Sequence, residues 1–215
     1  MHLFLAGAVS IAVLVPAAQS PTRAQLPEMV VPDAALRDLA GGLPGSFAFF
    51  STAVDAAAST IDPNDTGADL KRLGRVAGYV RGRNARGAFS DRGARGLQAV
   101  GTSVTLFRDA PAAGASIQRE VAAGKRFNGK VLKEGAVVSF RSNKVPSFGS
   151  RAVMEHLHAR STGGSDRFGT AVLFRVGQLR GFATVSRGDR KNADRLALAL
   201  AEQLRRRIVA TLRHG

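Results

Sequence analysis

The sequence predicts an α+β fold: an antiparallel β-sheet of about five to seven strands, flanked by helices, with a long C-terminal helix packed on the sheet. Three observations point to it. Thr170–Val176 and Leu179–Ser186 are apolar, β-rich runs joined by Gly177-Gln178, and glycine opening a two-residue loop marks a type II′ hairpin. Leu97–Phe107 alternates and is rich in β-formers. From about Asn192 to Arg213, Leu196, Leu200, Leu204, Ile208 and Leu212 fall on one stripe at i, i+4 spacing, the pattern of a helix with one buried face.

The remaining elements follow in order. Residues Gln25–Asp33 read as an extended linker, and Ala34–Ala40 as a short helix capped by Asp33. The breaker cluster Gly41-Gly42-Leu43-Pro44-Gly45 precedes an apolar strand over Phe47–Val54. Asp62, Asn64, Thr66 and Gly67 match the opening of a calcium loop, but its last position falls on Leu73, where a bidentate Glu is needed. The segment therefore reads as a turn and a helix capped by Asp65 or Thr66, with Asp69 in the first turn. Arg75–Arg81 reads as a strand, and the Arg/Gly-rich stretch Gly82–Gly96 as a loop. Asp109 caps a helix running to about Ala123, with Pro111 in its first turn. Ala136–Phe140 and Val153–Ala159 are two further strands.

The hairpin turn sets a register. Val176 faces Leu179, Phe174 faces Gly181, Val172 faces Ala183 and Thr170 faces Val185. The opposite face pairs Leu173 with Phe182 and Arg175 with Arg180. Both faces are mostly apolar, as in a hairpin that is central in its sheet or covered on both sides. The opposed arginines repel, so solvent, a nearby acid or an external anion must relieve them.

Residues 1–24 are expected to be a signal peptide. Leu3–Ala18 is an uncharged apolar run, followed by a short polar stretch ending in Thr22-Arg23-Ala24. This is the layout of a secretory signal cut after Ala24, and it predicts a secreted or extracytoplasmic mature chain. The alternative is a chain tethered to the membrane by the uncleaved segment. Against that, the run is shorter than the roughly 20 residues that span a bilayer, and Pro16 interrupts its end. The roughly 190 residues that follow suit one domain over 34–215, with enough chain for a core without staples. Cysteine is absent, so neither disulfides nor thiol chemistry operate, and no lipoprotein-type attachment site exists.

Lys and Arg number 31 against 16 acids, a net charge of +15. Such a surface favours an anionic partner: a phosphate-bearing polymer, an acidic lipid surface or nucleic acid. The candidate anion-binding residues are Arg175 and Arg180 in the hairpin and Arg81, Arg83 and Arg86 in the Arg/Gly stretch. Motifs for catalysis are scarce: the nucleophile elbow, the phosphate-binding loops and the zinc-protease helix are all missing. His156 and His158, at strand spacing, face the same side and are the weak metal-ligand candidates. A third ligand is lacking, because Glu155 points the other way. No cofactor is expected.

Five short stretches carry a family resemblance: Leu43-Pro44-Gly45-Ser46-Phe47, Gly74-Arg75-Val76-Ala77-Gly78-Tyr79, Leu106-Phe107-Arg108-Asp109-Ala110 before Gly114-Ala115, Leu173-Phe174-Arg175-Val176-Gly177, and a last helix from Leu198-Ala199 to Arg207-Ile208. In this spacing the chain resembles a group of exported, largely uncharacterised bacterial domains, and its element order is similar to the PsbP-like α/β/α sandwich. The resemblance implies the fold and brings no catalytic residues. The leading expectation is therefore an exported, non-enzymatic binding domain contacting an anionic cell-envelope or extracellular partner. Its alternatives are a carrier or sensor of a small apolar ligand held between helix and sheet, and a hydrolase of unrecognised type.

Export is read directly by mass spectrometry of the protein from its exported fraction. The expected mass begins at Gln25; a full-length mass would establish the tethered form.

Overall fold

The computed structural model describes residues 20–41, 43–58, 62, 64–85, 96–132, 135–161, 164, 166–188 and 193–214. The apolar run Leu3–Ala18 and Arg86 lie outside these residues. The fold is α+β, built on one antiparallel sheet of eight strands: β1 (Gly45–Ser51), β2 (Arg75–Asn84), β3 (Leu97–Phe107), β4 (Val131–Leu132), β5 (Gly135–Lys144), β6 (Val153–Ser161), β7 (Asp166–Val176) and β8 (Leu179–Arg187). Their order across the sheet is β1-β2-β3-β8-β7-β6-β5-β4. The last of these has only two residues, so seven strands carry the sheet. The chain lays down a meander at each end and closes the middle by pairing β3 with β8.

The β7–β8 hairpin forms as its sequence dictates. Gly177 takes a φ of +56°, which a β-carbon would strain, and the register pairs Thr170 with Val185 through to Val176 with Leu179. Phe174 is fully buried, and its ring lies over Gly181, where a β-carbon would sit 2.4 Å from the ring. The space above the glycine is thus filled by the phenylalanine itself, with Phe148 packed 5.5 Å from it.

The C-terminal helix α6 (Ala193–His214) covers one face of β7 and β8 and reaches β3. Leu200, Leu204 and Ile208 are fully buried against Val104, Val172, Phe174 and Val185. Glu202 binds Arg205 and Arg206 on the exposed side of the helix. Among the described residues no helix is long and apolar enough to cross a membrane.

The linker expected over Gln25–Asp33 is corrected by the structure. Leu26–Met29 forms a helical turn, α1, and Leu26, Met29, Val30 and Val31 have no exposed surface. Four large apolar residues within six positions bury on the same face of the sheet as α6, and the Val31 amide donates to Thr102 Oγ1 (3.2 Å). Arg207 of α6 donates to the Val30 carbonyl (2.8 Å), tying the segment to the last helix. The next helix, α2 (Asp33–Leu39), starts one residue earlier than expected. Asp33 therefore does not cap it, and its carboxylate instead pairs with Arg83 on β2.

The other face is covered by three helices. α5 (Ala110–Phe127) is capped by Asp109, which accepts from the Ala112 amide (2.7 Å), and it packs on β3, β5, β7 and β8. α3 (Ala53–Ala58) and α4 (Gly67–Arg72) stand over β1 and β2. Thr66 and Asp69 close a capping box at the start of α4, the arrangement read in place of a calcium loop. Asp62 and Asp65 reach across to Arg126 and Arg119 of α5.

Leu204→Ala should cost about 2–5 kcal/mol in urea unfolding, as for a large buried aliphatic, and Leu204→Asp should leave no folded protein. Met29→Ala should cost a similar amount, whereas a linker residue would cost nothing measurable.

Candidate functional site

Among the described residues, part of the second face stays open between α3 and α5. A groove of about 550 Å³ runs there over β1, β2, β3 and β8. Its apolar surfaces are Phe47 and Phe49 from β1, Val80 from β2 and Phe182 from β8; Gly78 and Gly101 are on its floor. These positions fall together because they are paired across the sheet: Phe47 with Gly82, Phe49 with Val80, Val80 with Ser103, and Ser103 with Phe182. Phe47 also has a glycine opposite it for a steric reason: a β-carbon at Gly82 would meet the Phe47 ring at 2.5 Å, so the glycine lets the ring lie across the strand. Phe49 is 46% exposed, the mark of a wall that faces open space.

One end of the groove is polar, lined by Ser51, Ser103, Thr105, Arg75, Arg180, Asp55 and Glu120. Arg75 is only 9% exposed. Its Nη1 donates to Thr105 Oγ1 (3.1 Å), and its Nη2 to the carbonyl and hydroxyl of Ser51 (both 3.1 Å). All of these acceptors are neutral. Burial, seconded by the charge on Arg180 and opposed by Asp55, pulls the Arg75 guanidinium down to about 10. It remains a cation at neutral pH.

Arg75 enters this face through an irregularity. Strict alternation would put Arg75, Ala77 and Tyr79 on one side of β2. The register slips between Arg75 and Ala77, so Arg75 stands opposite Phe107 and Ala77 opposite Leu106. The bulge at Val76 sends Arg75 to the face of the groove and leaves Ala77 on the face of α6.

Arg180 donates to Glu120 of α5 (2.7 Å), and Arg175 donates to the Ala110 carbonyl (3.2 Å). The two arginines pair in register as the hairpin requires, and an acid on α5 relieves the repulsion. Glu155 of β6 adds a third buried charge-bearing group. Burial, with repulsion from Glu120 and against the pull of Arg180, raises its carboxyl to about 8, so it is mostly neutral at pH 7. Among the described residues, Arg75 Nε, Arg180 Nε and Glu155 Oε1 are the buried side-chain atoms without a hydrogen-bond partner.

The other residues singled out from sequence do not gather here. Arg81 lies in β2, within the strand read over Arg75–Arg81, and Arg83 belongs to it too and not to a loop, because the strand continues to Asn84. Both point to the opposite face. Arg81 stacks on Tyr79, its guanidinium 5.6 Å from the ring centre. Arg83 is buried, donating to both Asp33 oxygens (2.8 and 2.7 Å) and to the Leu43 carbonyl (2.7 Å). Its charge is neutralised within the fold. His156 and His158 share a face as expected, yet each ring contacts a different acid: His156 Nε2 lies 3.0 Å from Asp194, and His158 Nε2 lies 3.0 Å from Asp166. His158 also stacks on Phe168, 4.4 Å between ring centres. Among the described residues no three His, Asp or Glu side chains converge as metal ligands. Thr170 Oγ1 donates to Asp194 (3.1 Å). The acid thus sits between hydroxyl and imidazole, so the imidazole is not placed to take the hydroxyl proton.

No protein-family model matches the chain, and no curated protein matches it in sequence. Its structure is similar to the extracellular domain of PknH from Mycobacterium tuberculosis, with a TM-score of 0.58 and 10% identity over 88% of this chain and 100% of that one. At that identity the likeness is one of fold.

Glu155 generates a pH dependence. Its carboxyl sits near 4.5 when exposed and near 8 when folded, so the folded chain holds the extra proton between those values. Stability then falls as pH rises from about 5 to 8 and levels off above. Glu155→Gln, which is neutral at every pH, should flatten this fall in denaturant titrations and be the more stable form at pH 8.

Proposed function

We propose that this chain is an exported, non-enzymatic binding domain that carries or senses a small ligand with an apolar body, held in the groove between the sheet and helices α3 and α5. The observation that carries the reading is the groove itself. Its volume of about 550 Å³ suits a small molecule, and an apolar lining with a few polar groups at one end is the usual make-up of such sites. The walls are Phe47, Phe49 and Phe182, and Gly101 on the floor carries no side chain to fill the space.

Export is supported by the apolar run Leu3–Ala18 at the start of the chain. A fold shared with an extracellular domain agrees with it. The Thr170 hydroxyl donates to Asp194, which also contacts His156, so this hydroxyl is not a histidine-activated nucleophile. The arginines also favour a small ligand over a broad anionic surface. Arg83 is neutralised internally, Arg81 faces the other side of the sheet, and Arg180 lines the groove.

Gly101 offers a clean test. A β-carbon there meets its neighbours at no less than 3.5 Å, so a larger side chain enters the groove without disturbing the strand. Nile red, a neutral apolar dye, should bind the native chain saturably. Gly101→Leu should weaken that binding by about tenfold or more and leave the melting temperature within a few degrees. An absence of saturable binding in the native chain, or equal binding in the variant, would remove the groove from consideration.

A further inference from the structure

We infer that the polar end of the groove selects a carboxylate, and that Arg75 is the residue that binds it, so that the ligand is a monocarboxylic acid with an apolar tail or ring. This rests on the groove as the binding site and specifies the head group it takes.

The inference starts from the cost of Arg75. A guanidinium removed from water is stabilised only when its charge is balanced and its N–H groups are used. Arg75 has neutral acceptors at Nη1 and Nη2, an unpartnered Nε, and a second guanidinium, Arg180, acting on it at the same end of the groove. Asp55 offsets part of this charge, but its carboxylate also accepts from the Thr52 amide (2.8 Å) and hydroxyl (2.7 Å). For packing alone, a methionine would serve this position as well or better. The chain nonetheless brings an arginine to this face through a bulge and keeps Gly78 beneath it. A β-carbon at Gly78 would lie 2.3 Å from Arg75 Nη2, so the glycine is what lets the guanidinium lie along the groove wall.

Contact geometry sets the class of anion. Arg180 is matched by Glu120, whereas the hydrogen-bond acceptors of Arg75 at Nη1 and Nη2 are neutral. Asp55 and Glu120 already equal the two arginines in number at this end, so a dianion would be repelled more strongly than a monoanion. A cationic head would meet Arg75 directly. Among monoanions, a carboxylate is flat and presents two oxygens to a guanidinium edge. Thr105, which touches Arg75 from β3, carries a hydroxyl of the kind that fixes a carboxylate's orientation.

Four probes of one chain length, decanoate, decanol, decylamine and decyl phosphate, separate the possibilities by calorimetric titration of the full chain at pH 7.5. Decanoate should bind about ten to a hundred times more tightly than decanol, the range expected of a charge-assisted hydrogen-bonded pair. Decylamine and decyl phosphate should fall below decanoate. In Arg75→Met the preference for decanoate over decanol should shrink to about one, with decanol binding as in the native chain, which shows that the groove is still formed. Arg75→Lys should keep part of the preference, since it retains the charge and loses the fork. Equal binding of decanoate and decanol by the native chain, or an unchanged preference in Arg75→Met, would overturn the carboxylate site while leaving the groove intact. Binding of none of the four would overturn the groove as well.

Discussion

The two faces of the sheet are covered unequally, and the rest of the molecule follows from that. On one side α6, α1 and α2 bury a continuous apolar layer that includes Leu26, Met29, Val104, Phe174, Leu200 and Leu204. On the other side α5 spans one half of the sheet, while α3 and α4 are short helices over the far edge. Among the described residues, these helices do not close the second face. What remains is a groove over β1–β2–β3–β8, walled by phenylalanines that on the other side would have been core.

The same imbalance explains where charge is buried. On the well-covered face Arg83 is locked to Asp33 and to backbone carbonyls, so its charge serves the structure. On the open face Arg75, Arg180, Glu120 and Glu155 share a volume in which the pairing is incomplete. Buried polar atoms with missing partners weaken a fold compared with apolar groups of the same size. They are concentrated beside the groove that Arg75 and Arg180 line.

Much of the fold was legible in the sequence because it is written in local patterns. The β7–β8 register follows from one glycine turn and strict alternation, and every pair read from it is present. The α5 cap at Asp109, the capping box at Thr66 and the buried stripe of α6 depend on residues at most a few turns apart. The reading failed over Leu26–Val31. A run of Leu, Met and two valines broken by Pro27 and ended by Pro32 has no helical or strand period, and only its tertiary partners, the β2–β3 face and α6, show that it belongs to the core.

The candidate site was half legible. Arg180 stood out because a like-charged neighbour faced it across the hairpin. Arg75 gave no such sign, since in Arg-Val-Ala-Gly-Tyr it reads as an ordinary alternating strand residue. The bulge at Val76 reverses its side, and a bulge arises from strand pairing that no local pattern records. Gly78 three residues on was the available clue, because glycine within a strand often marks a close approach. By itself the sequence determined the elements, the hairpin register and which helix face is buried, since these depend on residue spacing along one chain. Only the tertiary structure decided which arginines are neutralised, which face stays open and that Arg75 lines it. Those outcomes depend on groups brought together from β1, β2, β8 and α5, whose distances in space are unrelated to their distances in sequence.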